Sequence, residues 1–90
     1  MIENISKEIE QTVSELVPKA ENGDADAQHH LFVLLLSEAM EKYDAELFNK
    51  AEEYLILAAS NGWQEATEDL KNQQLRRSAF EGRVRRNKLN

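Results

Sequence analysis

A short sequence pattern occurs twice in this chain, 39 positions apart. Ala20-Glu21-Asn22-Gly23 corresponds to Ala59-Ser60-Asn61-Gly62 at the matching positions. The similarity extends to apolar residues on both sides, since Leu16, Val17, Ala27 and Leu31 align with Leu55, Ile56, Ala66 and Leu70. A period near 40 residues is typical of stacked helical pairs, in which no single pair buries its apolar face alone. The pattern therefore predicts a short helical array, a class of protein that usually binds other macromolecules.

The spacing of apolar residues predicts an all-α fold of about four antiparallel helices. Apolar side chains recur at three- and four-residue steps, which indicates helices near residues 3–21, 24–41, 45–60 and 63–81 and no sheet. Asp24 and Asp44 are placed to cap the second and third helices. The two Asn-Gly pairs are placed to end the first and third helices, because glycine adopts the left-handed conformation without strain.

The second predicted helix is apolar on most of its faces between Leu31 and Leu36. A helix of this kind is usually buried on most of its faces. We therefore expect it at the centre of the fold. If the other helices do not cover it, its remaining apolar surface predicts a homodimer interface instead.

The charge of the chain is unevenly distributed. Its net charge is −6, but residues 1–75 carry −11 and residues 76–90 carry +5. We predict a helical repeat domain over residues 1–82, ending at Gly82, and a basic tail over residues 83–90. The tail has little apolar content, so we expect it to fray.

Composition excludes several classes of site. The chain has no cysteine, which rules out disulfides, thiolate zinc sites and a cysteine nucleophile. It also lacks a glycine-rich phosphate loop and a Ser-His-Asp set. We predict no catalytic residue, no cofactor and no metal, and therefore a protein that is not an enzyme. No apolar run approaches the ~20 residues of a membrane span, and no signal peptide is visible, so a cytoplasmic location is expected.

Aromatic and acidic residues of the second half of the chain form the predicted partner-binding surface. Tryptophan and tyrosine are frequent anchors of protein interfaces, and surrounding carboxylates attract a basic partner. The predicted contact residues are Tyr43, Phe48, Glu52, Glu53, Tyr54, Trp63 and Glu65. This pattern favours a non-catalytic protein–protein interaction module whose partner is another protein with a basic surface.

The basic C-terminal segment supports an alternative, a nucleic-acid-associated regulator. Clustered arginines attract phosphate, and the candidate contacts are Arg76, Arg77, Arg83, Arg85 and Arg86. The charge of −11 on residues 1–75 repels phosphate, however. A basic segment that folds back on the acidic body is therefore the favoured interpretation.

The residues from Ala20 to Leu70 resemble the Sel-one-like repeat, a relative of the tetratricopeptide repeat. The first helix of that repeat is matched by Ala20, Asn22-Gly23, Ala27-Gln28 and Leu31, and its second helix by Lys50-Ala51, Tyr54, Ala58-Ala59 and Gly62. About one full repeat is covered, over residues 20–70. The resemblance implies a short tetratricopeptide-like α/α array with an adaptor or regulatory role and no catalytic residues. Because one repeat is too short for a long concave groove, we favour a small acidic inhibitor or immunity-type protein within this class.

Overall fold

The structure is a computed structural model, and residues 2–89 are described here. Within these residues the chain forms five helices and no strand. The helices are α1 (Lys7–Glu21), α2 (Ala25–Lys42), α3 (Ala45–Ser60), α4 (Gln64–Leu70) and α5 (Gln73–Leu89). The predicted all-α class is therefore confirmed, although the predicted number of helices was four.

Local capping signals fix the boundaries of α2 and α3. The carboxylate of Asp24 accepts a hydrogen bond from the backbone N–H of Ala27, and Asp44 accepts one from Leu47, each at 3.1 Å. Gly23 follows α1 with a φ of 91°, and Gly62 follows α3 with a φ of 87°. Both caps and both glycine stops lie where the sequence predicted them, because each depends on residues within one turn of the helix end.

Helix α1 begins at Lys7, four residues later than predicted. The preceding segment is held against the end of α2 instead of continuing the helix. The backbone N–H of Ser6 donates to the Glu38 carboxylate, and the Lys42 ammonium donates to the Asn4 carbonyl at 2.8 Å. These long-range bonds satisfy backbone groups that a longer helix would have used, so the prediction of a helix from residue 3 was wrong.

The predicted fourth helix is divided at Lys71 and Asn72 into α4 and α5. At the break, the guanidinium of Arg76 donates to the backbone carbonyl of Asp69 at 2.7 Å. Helix α5 then continues through Gly82, where the sequence predicted its end, as far as Leu89. The segment predicted as a separate tail therefore forms the last two turns of α5 over residues 83–89, and residue 90 lies outside the described part.

Helix α2 lies at the centre of the fold, as predicted, and packs against both α1 and α3. Leu31, Leu35 and Ala39 on α2 are completely buried. Of the apolar run that suggested a homodimer, Val33 is exposed, at 47%, and the other residues are buried or half-buried. The other helices thus cover most of the surface on which that homodimer would depend.

Gln28 links the two copies of the Ala-x-Asn-Gly pattern. Its side chain is 2% exposed, and its Nε2 donates to the carbonyl of Ala20 at the end of α1, at 2.9 Å. Its Oε1 accepts a hydrogen bond from Nδ2 of Asn61 after α3, also at 2.9 Å. One buried amide therefore joins the two copies of the pattern, and its hydrogen-bonding capacity is used on both sides.

Helix α5 is attached mainly by arginine and phenylalanine side chains. The Phe80 ring stacks on the Phe48 ring of α3 at 4.5 Å between centroids. Three guanidinium groups lie 5.0 to 5.6 Å from ring centroids of the body: Arg76 over Phe32, Arg77 over Phe48 and Arg83 over Tyr43. Cation–π contacts of this kind contribute about 0.5–1 kcal/mol each at exposed sites and more when desolvated.

Candidate functional site

The predicted partner-binding residues do not form one surface. Phe48 is 1% exposed beneath Phe80, and Glu52 is 3% exposed. The Glu52 carboxylate accepts hydrogen bonds from Nε and Nη2 of Arg76 at 2.7 and 2.9 Å. Both residues are buried and hold α5 in place, which corrects their assignment to an exposed contact surface.

The other five predicted contact residues lie at three separate places. Tyr43 ends α2 in a left-handed conformation with a φ of 57°. Glu53 and Tyr54 lie on α3, and Tyr54 faces α1. Trp63 and Glu65 border a shallow pocket at the start of α4. Of the two residues on α3, Tyr54 lines a groove between α1 and α3 that combines apolar and acidic groups, and Glu53 is its neighbour in the chain.

Some of the predicted nucleic-acid contacts are bound to the body of the protein, and others are exposed. Arg76 is paired with Glu52, and Arg83 donates from Nε and Nη2 to the carbonyl of Met40 at 3.2 Å each. Arg77 lies over Phe48, which leaves Arg85 and Arg86 exposed on α5. The basic segment thus folds back on the acidic body, the interpretation that the sequence favoured.

A groove of about 510 Å³ lies between α1 and α3, and we call it the α1–α3 groove. Val13, Val17 and Tyr54 provide its buried or half-buried apolar lining. Exposed charged residues border it, namely Glu10, Glu21 and Lys50. Sequence reasoning missed the α1 residues of this groove, because their spacing alone does not tell a groove-lining face from a core-facing one.

Electrostatics in the α1–α3 groove favour positive charge. Burial raises the pKa of the Tyr54 hydroxyl, and the carboxylates of Glu21 and Glu53 raise it further. The ammonium of Lys50 lies 5.6 Å from the centroid of the Tyr54 ring and 3.6 Å from Glu53 Oε2. The groove therefore already holds a lysine side chain of the chain itself.

Pro18 interrupts the backbone hydrogen bonding of α1 beside this groove. It lies inside the last turn of α1 and lines the groove together with Ser14. Because proline has no N–H, the carbonyl of Ser14 has no backbone donor four residues later. Pro18 was the sequence signal that could have directed attention to this part of α1.

A polar cluster joins α2 to α4 near Trp63. Nε2 of His29 lies 2.7 Å from Oδ2 of Asp69, and the His29 ring is 6.5 Å from the Trp63 ring. The indole Nε1 of Trp63 is buried without a hydrogen-bond partner among residues 2–89. This cluster lies between the helices, so we regard it as part of the packing of α4.

The chain matches no family model, and no curated protein or solved structure is detectably similar to it. The resemblance to the Sel-one-like repeat therefore stays a prediction. Over residues 2–89, none of the helices has the length and apolar content needed to cross a membrane.

Proposed function

We propose that this chain is a non-catalytic protein-binding module that holds a basic segment of a partner protein in the α1–α3 groove. The observation that supports this most directly is the position of Lys50. Its ammonium lies over the Tyr54 ring and next to Glu53, so a lysine side chain already occupies this position. A lysine or arginine of the partner would take the same position after Lys50 swings into solvent.

The lining of the groove supports a partner segment that is both basic and apolar. Glu10 and Glu21 offer carboxylates at the edge, while Val13 and Val17 offer apolar surface inside. Charge complementarity of this kind speeds association and selects the partner more than it raises affinity.

Within this class we favour a small acidic inhibitor or immunity-type protein that acts in the cytoplasm. The charge of −11 on residues 1–75 would attract a strongly basic partner from a distance. The α1–α3 groove lies between two helices and does not extend along a row of repeats. Such a groove fits the capture of one segment of one partner better than the assembly of several proteins.

A fluorescein-labelled peptide of alternating lysine and leucine provides the test. The double variant Glu10→Gln, Glu21→Gln should weaken its Kd by about tenfold, because two groove carboxylates are lost. The matched control is Glu8→Gln, Glu15→Gln, which removes two exposed carboxylates of α1 that lie outside the groove. We expect the control to change Kd by no more than about twofold.

A second variant tests the role of Lys50 itself. Lys50→Met keeps the apolar stem but removes the competing ammonium, so the same peptide should bind several times more tightly. The proposal is wrong if both double variants weaken binding equally, since the attraction would then be general to the acidic surface. Equal binding of an alternating glutamate–leucine peptide at this groove would also contradict it.

A further inference from the structure

A second groove, of about 350 Å³, lies between α3 and α5, and we call it the α3–α5 groove. Tyr43, which is 38% exposed, and the half-buried Val84 provide its accessible apolar lining, next to the buried Phe48–Phe80 stack. Three cationic side chains border it, namely Arg77, Arg85 and Lys88. Its charge is therefore opposite to that of the α1–α3 groove.

We propose that the α3–α5 groove is a docking site for an acidic segment of a partner protein. The segment is a short peptide that carries an apolar side chain next to carboxylates. The proposal goes beyond the binding of a basic segment, because it concerns a different groove and a partner segment of opposite charge.

The cations of the α3–α5 groove have few partners within the molecule. Arg85 and Lys88 are exposed, and neither forms an ion pair among residues 2–89. Arg77 has one hydrogen bond, from Nη2 to Oδ1 of Asn49 at 3.3 Å. Glu81 is the one carboxylate in the lining. The groove thus offers three positive charges against one negative charge.

Arg77 is prepared for carboxylate binding by its position over Phe48. Its guanidinium carbon lies 5.1 Å from the centroid of that ring, which restricts the motion of a long side chain. A planar guanidinium held on one face still has its N–H edges available for a bidentate carboxylate. Less conformational entropy is then lost when a partner carboxylate binds.

The uneven charge of the chain favours this location for an acidic segment. Residues 1–75 carry −11, whereas residues 76–90 carry +5. An acidic peptide is therefore repelled by most of the molecular surface and attracted to the exposed cations of α5. This is the charge complementarity expected of a specific docking site.

Nucleic acid fits the same groove less well. Single-stranded nucleic acid is bound by stacking bases on accessible aromatic rings. Phe48 and Phe80 are only 1% and 4% exposed, and Arg83 already lies over the ring of Tyr43, which is 38% exposed. A phosphate backbone longer than the groove would also extend over the acidic body. A short acidic peptide avoids both difficulties.

The experiment uses a fluorescein-labelled peptide of alternating glutamate and leucine. Arg85→Glu should weaken its Kd by about tenfold, because a groove cation is replaced by an anion. Arg86→Glu is the matched control, since Arg86 is an exposed neighbour outside the groove lining and the charge change is identical. The control should alter Kd by about twofold or less. Circular dichroism checks that both variants keep their helix content.

Three results would overturn the proposal. The first is equal weakening by Arg85→Glu and Arg86→Glu. The second is that single-stranded oligothymidine binds more tightly than the peptide and that Arg85→Glu abolishes this binding, which would make nucleic acid the ligand. The third is self-association in sedimentation that Arg85→Glu abolishes, which would make a second copy the occupant. The Glu10→Gln, Glu21→Gln variant should bind the acidic peptide at least as well as the unmodified chain, so the two grooves are tested separately.

Discussion

The guanidinium of Arg76 connects three other helices to α5. It forms two hydrogen bonds with the Glu52 carboxylate of α3 and one with the carbonyl of Asp69 at the end of α4. It also lies 5.0 Å from the centroid of the Phe32 ring on α2. Because the side chains of Glu52 and Arg76 are only 4% and 14% exposed, each charge depends on the other for compensation.

Removing one partner of this ion pair should destabilise the protein strongly. Arg76→Met should lower the free energy of unfolding by about 3–5 kcal/mol, because it leaves the Glu52 charge buried and unpaired. The double variant Arg76→Met, Glu52→Met should cost clearly less than the sum of the single variants, since it leaves no buried charge. Urea unfolding of the four proteins measures the coupling. Additive effects would show that the pair is not energetically coupled.

Glu38 should make stability depend on pH. Burial raises the pKa of its carboxyl, but hydrogen bonds from Ser6 and the charge of Lys42 lower it by more, so the net pKa lies below the ordinary 4.5. A lowered pKa in the folded state means that the stabilisation is present above the ordinary pKa and is lost as pH falls through the folded pKa. Glu38→Gln should therefore destabilise at pH 7, and its difference from the unmodified chain should shrink in acid.

The measurement is urea unfolding of both proteins from pH 7 down to acid pH. Glu41→Gln is a suitable control, because Glu41 is an exposed carboxylate on the same helix. A difference between Glu38→Gln and the unmodified chain that stays constant with pH would contradict the assignment.

The sequence did not predict which contacts single residues make, even where it singled out the right residues. Glu52 was expected at a partner surface because it is acidic and lies near aromatic residues. Its true partner, Arg76, is 24 positions away along the chain, and no local pattern indicates that pairing. Tyr54, by contrast, does line the α1–α3 groove, and Glu53 is its neighbour in the chain. The residues on the α1 side of that groove were not predicted.

At the scale of the helices, the boundaries that depend on neighbouring residues in the sequence were predictable. The capping aspartates and the Asn-Gly stops act within one turn, so the boundaries of α2 and α3 followed from the sequence alone. Helix α1 was predicted to start too early, because the bond between Ser6 and Glu38 spans 32 positions. The C-terminal end of α5 was predicted too early. Arginines make up much of the face of α5 that packs against the body, whereas a hydropathy pattern treats arginines as solvent-exposed.

The two glycines Gly62 and Gly82 should respond in opposite ways to the same substitution. Gly62→Ala places a side chain at a φ of 87° and should cost about 1–2 kcal/mol of stability. Gly82 lies inside α5, where a new Cβ would meet only the Arg86 side chain at 3.6 Å. Gly82→Ala should therefore stabilise by about 0.5–1 kcal/mol, because alanine favours the helix. Thermal unfolding measures both, and shifts of the same sign would contradict the helix assignment.

At the scale of the whole molecule, the chain consists of an acidic body covered on one side by a basic helix. The acidic part, residues 1–75, carries −11, and most of the compensating charge lies on α5. Attraction between the body and α5 therefore reduces the repulsion among the carboxylates. The uneven charge was visible in the sequence, but the helices that α5 covers were not.

Deleting residues 83–90 should leave a folded but less stable protein. The deletion changes the net charge from −6 to −10 and removes the contacts of Arg83 with Met40 and Tyr43. We expect a loss of about 1–3 kcal/mol in the free energy of unfolding. Added salt should stabilise the shortened chain more than the full chain, because salt screens the larger excess of negative charge. Urea unfolding at two salt concentrations tests this, and complete loss of helix would contradict it.

The attachment of α5 by arginines has a consequence for how this chain tolerates insertions and deletions. A helix packed by a row of leucines can often slide by a turn, because one apolar contact replaces another. Here the Arg76 guanidinium must reach both Glu52 and the Asp69 carbonyl, which fixes the register of α5. One residue inserted after Val84 would leave that register intact and turn Arg85 and Lys88 by about 100° around the helix axis. Small changes of length near the C-terminus would thus change the direction in which the exposed cations point without altering the fold.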